Sequence, residues 1–290
     1  MLAKKLDRYC NKTPFWAVLV IYLLCFLFRV CEYFILRTDQ TFWGEAFVHK
    51  LIGTAILCIT VKMTSFTFEE IGFSKANIIQ NLLKGLLFGL SVFAFAYGIE
   101  VIICILQGNF ESLQLYVTAY AVDGNIGHQT AFIFFAICIV GNIINVIMEE
   151  GVFRGLFQQI LQKKYSFVLS AVIASCLFGL WHMIAPLRNY YDGTSSMGGL
   201  IFNATLLVVT SGLIGFKFAL LTKMTNNLYM AMGDHFVNNT IVNILHVVSK
   251  TGADELQFVR ITVAQTLSFI IVLVYYLKNT ATENRIKSKP

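Results

Sequence analysis

Long apolar runs alternate with short polar connections from one end of the chain to the other. A helix that crosses a membrane needs about 20 mostly apolar residues. Eight stretches approach that pattern: 15–36, 46–61, 82–106, 131–147, 167–184, 200–221, 228–248 and 259–277. The second is short. The fourth continues in helical register through Gln162, because the polar residues after it keep helical spacing and no breaker intervenes. At about 1.5 Å per residue, that extended helix is too long for one perpendicular crossing. The pattern predicts an all-α, polytopic integral membrane protein of about eight transmembrane helices with a buried polar active-site cavity. Internal repeats, low-complexity tracts and a separate soluble domain are all missing from the pattern. Residues 1–290 therefore read as one membrane domain, with a motif-bearing core at 131–248.

Composition sharpens the class. Hydrophobic residues make up 57% of the chain and charged residues only 13%. Soluble domains carry about 25% charged residues, so this chain lacks the groups to face water on all sides. A net charge of +6 could suggest nucleic acid, but its placement argues against that. Lys4, Lys5, Arg8 and Lys12 precede the first apolar run, and Lys278, Arg285, Lys287 and Lys289 follow the last. Such flanks anchor and orient helices, whereas a nucleic-acid footprint is a patch on one folded face. The seven cysteines lie mostly within apolar runs without a CxxC and read as small buried hydrophobes. The first run is too long, and lacks the small-residue cleavage site, for a removable signal peptide.

Counting Lys and Arg in the connections orients the chain. With the N-terminus inside, thirteen basic residues fall on the cytoplasmic side, and only Arg37, Arg188 and Lys250 outside. Both termini are then cytoplasmic and the number of spans is even. Two connections stand out. Residues 65–80 place Phe66, Phe68, Ile71 and Phe73 among charges and read as an interfacial amphipathic segment. Residues 188–199 read as a Gly/Ser-rich outer loop able to move.

Charges inside spans are costly and are usually functional or paired. The richest case is 148–155, MEEGVFRG. On a helix Glu150 and Arg154 share a face and can pair. Glu149 points about 100° away and escapes that pair, sharing its face with Asn145 and Asn142. A Glu/Glu/Arg cluster could equally pin neighbouring helices, a reading that suits Glu150 and Arg154 better than Glu149. Phe178 and His182, four apart, share one face of the next run, although a lone histidine near a helix end is weak as a signal. His235, Asn239 and Asn243 repeat every four residues along another run. Asn243 is accounted for by helix–helix hydrogen bonding, and His49, His128 and His246 read as bland. Measured along the helices from the cytoplasmic side, Glu149, His182 and His235 lie at depths of about 21, 24 and 12 Å, all within a core of about 30 Å.

A carboxylate and a neutral imidazole together can deprotonate water. A second imidazole and a carboxamide can donate to the oxyanion that forms at a peptide carbonyl. No GxSxG, no Ser or Cys beside an obvious base and no HExxH occurs, so a covalent serine or cysteine protease is disfavoured.

At these residues the sequence resembles the CAAX protease and bacteriocin-processing (Abi) family of intramembrane proteases. The family pattern Glu-Glu-x-x-x-Arg, Phe-x-x-x-His and His-x-x-x-Asn stands here as Glu149–Arg154, Phe178–His182 and His235–Asn239. The resemblance implies a glutamate-dependent endopeptidase in which Glu149 and His182 activate water and His235 and Asn239 stabilise the oxyanion, supported by Glu150, Arg154 and Phe178. It implies a peptide or protein substrate, lipidated or carrying a leader, met within membrane lipid. Under this reading no cofactor is required. The alternative is zinc on Glu149, His182 and His235 with one open position, which Asn239, a poor zinc ligand, argues against. Composition points to a bacterial cytoplasmic membrane, and a eukaryotic source would place the chain in the endoplasmic reticulum membrane. Two other classes compete: a transporter whose path the polar stripe lines, and a non-catalytic immunity or scaffold protein.

Overall fold

The computed structural model describes residues 2–118 and 127–287, so Lys289 of the basic C-terminal flank lies outside the described residues. Helices carry nearly all of the fold: α1 (Leu2–Lys12), α2 (Pro14–Cys31), α3 (Val48–Met63), α4 (Ile78–Leu106), α5 (Phe132–Glu149), α6 (Gln158–Gln162), α7 (Phe167–Trp181), α8 (Ile184–Tyr191), α9 (Met197–Thr225), α10 (Tyr229–Ile244) and α11 (Gln257–Lys287). A π-helical turn, Glu150–Phe157, joins α5 to α6 without a break. The long fourth helix therefore does run through Gln162, as one apolar segment of 31 residues.

Among the described residues, six helical segments are long and apolar enough to cross a membrane: Pro14–Gln40, Ile78–Leu106, Phe132–Gln162, Phe167–Tyr191, Met197–Thr225 and Gln257–Thr282. This is an integral membrane protein. The expected eight spans are approximate, because α3 and α10 have only 16 residues each. At about 24 Å apiece they fall short of a hydrocarbon core of about 30 Å. Helix α10 stops at Ile244, short of the expected 248. Leu245 turns extended, and Leu245–Ser249 (β2) pairs antiparallel with Phe110–Leu115 (β1). This short ribbon had no counterpart in the hydropathy pattern, since the apolar residues of Leu245–Ser249 read equally well as the end of a helix.

Each spanning helix divides into two faces. On α2, Val18, Tyr22, Cys25 and Arg29 are buried, whereas Trp16, Val20, Leu24 and Leu27 are about half exposed. A face of that kind suits lipid tails. Between helices the packing depends on small residues. Helix α4 runs parallel to α10, with Gly85 against Met230, Gly89 against Asp234 and Val237, and the Tyr97 hydroxyl donating to Leu245 O at 2.6 Å. A Cβ on Gly85 would lie 2.2 Å from Met230 O, and one on Gly179 of α7 would lie 2.3 Å from Val208 O of α9. Gly85→Ala is expected to force α4 away from α10 and lower stability by about 1–3 kcal/mol. Thermal unfolding in detergent checks this, and an unchanged midpoint counts against the close contact.

The connections gather at two ends. At one, the Ser65 amide donates to Asp7 (2.8 Å), Lys163 sits 4.6 Å from the Phe66 ring, and Leu228 N donates to Gly72 O. Phe66 and Ile71 are buried there, so residues 64–77 pack an apolar side against the end of the bundle, with 67–70 exposed. At the other end, the expected mobile loop 188–199 is helical through Tyr191 and again from Met197. Its Arg188 is buried, pairing with Asp39 at 2.9 Å and Asp192 at 3.1 Å. The β1–β2 ribbon caps this end. His246, expected to be bland, is buried there and faces Tyr116 O and Asp254, with Tyr116 stacked between His246 and His128. Burial opposes ionisation of Asp254, but the hydrogen bond from His246 and the nearby Arg260 charge outweigh it and hold its carboxyl below the ordinary range.

Candidate active site

Glu149 is the last residue of α5, and Glu150 opens the π-helical turn. A single widened turn of this kind recurs at functional sites, because it redirects side chains that an α-helix would fan apart. The glycines within it let neighbours approach closely. A Cβ on Gly151 would meet Leu57 at 2.6 Å, and one on Gly155 would meet Ile71 O at 2.7 Å. All eight residues of the turn are buried.

His235 of α10 bridges both carboxylates. Its Nδ1 lies 2.7 Å from Glu150 Oε1, and its Nε2 lies 3.6 Å from Glu149 Oε2. Glu150 Oε1 also accepts from Arg154 Nη1 at 3.2 Å, so the expected four-residue pair forms. Arg154 is held further by Gly215 O (3.3 Å) and lies 3.9 Å over the Phe178 ring. The His235 ring stacks on Phe218, with centroids 4.8 Å apart. Helix α9 is thus a backboard: Gly215 takes the guanidinium and Phe218 the imidazole.

His182 caps the C-terminal end of α7. Its Nδ1 faces Phe178 O at 2.8 Å, and its ring packs edge-on against Phe178 at 4.7 Å. A carbonyl only accepts, so Nδ1 carries a proton and the neutral ring keeps its lone pair on Nε2. Asn239 follows His235 by one turn, its Oδ1 accepting from Asn238 Nδ2 at 2.8 Å. Among the described residues neither His182 nor Asn239 hydrogen-bonds Glu149: the structure brings Glu149, Glu150, Arg154, Phe178 and His235 together, reaches His182 through Phe178, and pairs the Asn239 side chain with Asn238.

One expectation is corrected. Glu149 is not left without a countercharge, because Arg29 Nη1 of α2 lies 3.6 Å from its Oε1. Trp181 Nε1 also donates to that oxygen at 2.8 Å. Glu149 Oε2, in contrast, is buried and makes no hydrogen bond among the described residues. Arg29 in turn meets His49 Nε2 at 3.4 Å, and the other ring nitrogen of His49 faces Glu32. Arg29, Glu32, His49 and Trp181 were all missed in the sequence. The signal existed for Arg29 and Glu32, since both are charges within the first apolar run. Asn142 and Asn145 are buried as the polar stripe requires, with Asn142 bonded to Cys138 Sγ at 3.5 Å.

Residues 131–241 match the family model described as "Type II CAAX prenyl endopeptidase Rce1-like". That segment is similar to the CAAX protease family. All seven motif residues, from Glu149 to Asn239, fall within the matched segment. No curated protein matches the chain. The match supports an intramembrane endopeptidase of the CAAX type in general, acting on a peptide or protein substrate.

Proposed function

We propose that the chain hydrolyses a lipidated peptide within the membrane by direct attack of water, with Glu149 and His182 as bases and His235 and Asn239 as oxyanion donors. The observation that carries this reading is the pair of unequal oxygens on Glu149. Oε1 is fixed by Trp181 and Arg29, which orients the carboxylate, while Oε2 is buried, unbonded and aimed at His235 Nε2. A carboxylate so held accepts a proton on one defined atom. Water attacking the scissile carbonyl gives its proton to Glu149 Oε2 or to His182 Nε2. The carbonyl π pair moves to the oxygen, where the Asn239 amide and a protonated His235 Nε2 donate to it. Collapse breaks the C–N bond, and the captured proton passes to the departing amine. Glu150 and Arg154 hold the His235 ring through Nδ1, and so set where Nε2 points.

The donor set supports the metal-free reading. Among the described residues no three His, Cys, Asp or Glu side chains gather in a metal-holding group. Arg29 also already stands 3.6 Å from the Glu149 carboxylate, and a dication beside it would be repelled. We also propose that both termini face the cytoplasm, because the end holding α1 collects Lys62, Lys163 and Lys223, and the opposite end holds Arg37 and Arg188.

The lipid preference rests on the family description and on the burial of the site among membrane helices, which a soluble peptide reaches only with difficulty. The test uses purified protein in nanodiscs and internally quenched peptides ending in a CAAX sequence, farnesylated or bare, together with a leader peptide. The farnesylated peptide is expected to show at least about tenfold higher kcat/KM, the equivalent of about 1.4 kcal/mol of added binding. Equal rates for all three would overturn the lipid preference. Activity lost to a chelator and restored by zinc would overturn the metal-free reading.

A further inference from the structure

We infer that Lys217, Gln265 and Asn238 are positioning residues that fix which face of the Asn239 amide meets the substrate. The inference rests on the reading of Asn239 as an oxyanion donor. A carboxamide can present either its oxygen or its NH₂ to a site, and only the NH₂ stabilises an oxyanion. Something must therefore set its orientation.

A chain of hydrogen bonds does so. Lys217 of α9 is fully buried, and an ammonium only donates. Its ammonium donates to Gln265 Oε1 at 3.2 Å and Ser268 Oγ at 3.1 Å, and forms an ion pair with Asp234 Oδ2 at 2.7 Å. Ser268 spends its own proton on Gln265 O, so its oxygen is free to accept from the lysine. With its Oε1 committed, Gln265 has only its NH₂ to offer, and it donates to Asn238 Oδ1. Asn238 must then donate from Nδ2, which it does to Asn239 Oδ1 at 2.8 Å. The direction of every bond follows from the obligate donor at the start. Asn239 ends the chain with its oxygen consumed and its NH₂ free of any partner among the described residues. The chain spans α9, α11 and α10, so three helices agree on the orientation of one amide.

Polarity gives a test that simple loss of packing would not reproduce. Asn238→Asp still accepts from Gln265 but cannot donate, so Asn239 must turn over and present its oxygen. Gln265→Glu accepts from Lys217 but cannot donate to Asn238, and it reverses the two remaining amides in the same way. With the farnesylated quenched peptide, each is expected to lower kcat about 100-fold, the scale of losing one oxyanion donor, with KM little changed. Gln265→Met, which cuts the chain without reversing it, is expected to lose less than Gln265→Glu. On an Asn239→Ala background, Asn238→Asp is expected to lower kcat no further, since the group it misdirects is gone. Folded fraction is checked for every variant by thermal unfolding in detergent. If Asn239→Ala lowers kcat and the folded polarity variants keep the wild-type rate, the relay is overturned and the oxyanion reading stands. Losses that multiply in the double variant also overturn the relay. A wild-type rate in Asn239→Ala removes both.

Discussion

Glu149→Gln is expected to lower kcat by about 10³-fold or more, with KM changed little. General-base assistance contributes about 10²–10⁴-fold, and the substitution removes the carboxylate oxygen that takes the proton. The amide keeps an oxygen for Trp181, whose bond to Oε1 is 2.8 Å, so the side chain stays in place. What is lost is the basic oxygen facing His235 at 3.6 Å. Glu149→Asp is expected to fall between wild type and Glu149→Gln, because a misplacement of about 1 Å can itself cost about 100-fold. Single-turnover cleavage of the farnesylated quenched peptide measures both. A Glu149→Gln protein that cleaves at the wild-type rate would remove Glu149 from the chemistry.

The second large effect concerns folding. Arg154→Met is expected to destabilise the protein by about 3–5 kcal/mol, the usual cost of leaving one partner of a buried ion pair alone. Arg154 and Glu150 are both fully buried, and Glu150 is shared between Arg154 at 3.2 Å and His235 at 2.7 Å. Without the guanidinium the buried carboxylate keeps only the imidazole of His235 as a side-chain partner among the described residues, and the Phe178 ring loses the group 3.9 Å from its centre. Removing both charges in Glu150→Gln/Arg154→Met is expected to recover much of the stability but not the activity, since the neutral amide holds His235 Nδ1 less firmly. Denaturation in mixed detergent compares the three proteins. If Arg154→Met is as stable as wild type, the ion pair does not hold the core together.

Much of this was legible in the sequence. Hydropathy alone gives a helical membrane protein, and helical spacing gives the Glu150–Arg154 pair and the unbroken helix through Gln162. It also places Glu149 and His235 at compatible depths, and they meet. What spacing could not show is which distant helix supplies a partner. Arg29 and Glu149 are far apart in the chain and meet only because α2 packs against the π-helical turn, a geometry no local pattern announces. The same limit hid the Lys217–Gln265–Asn238 chain, which crosses three helices. Span counting was approximate for a different reason: α3 and α10 are apolar but have only 16 residues each, and hydropathy alone does not separate a short packed helix from a full crossing. Residues 245–249 joined a strand because pairing with 110–115 satisfies their backbone groups, a benefit invisible to a window of local composition.

The most direct test of a hydrolytic site at Glu149 is comparative peptidomics of cells producing the wild type or Glu149→Gln at equal folded levels. A peptide fragment that appears only with the wild type, while its uncut precursor accumulates with Glu149→Gln, is the result expected. Indistinguishable peptide profiles from two equally folded proteins would contradict it.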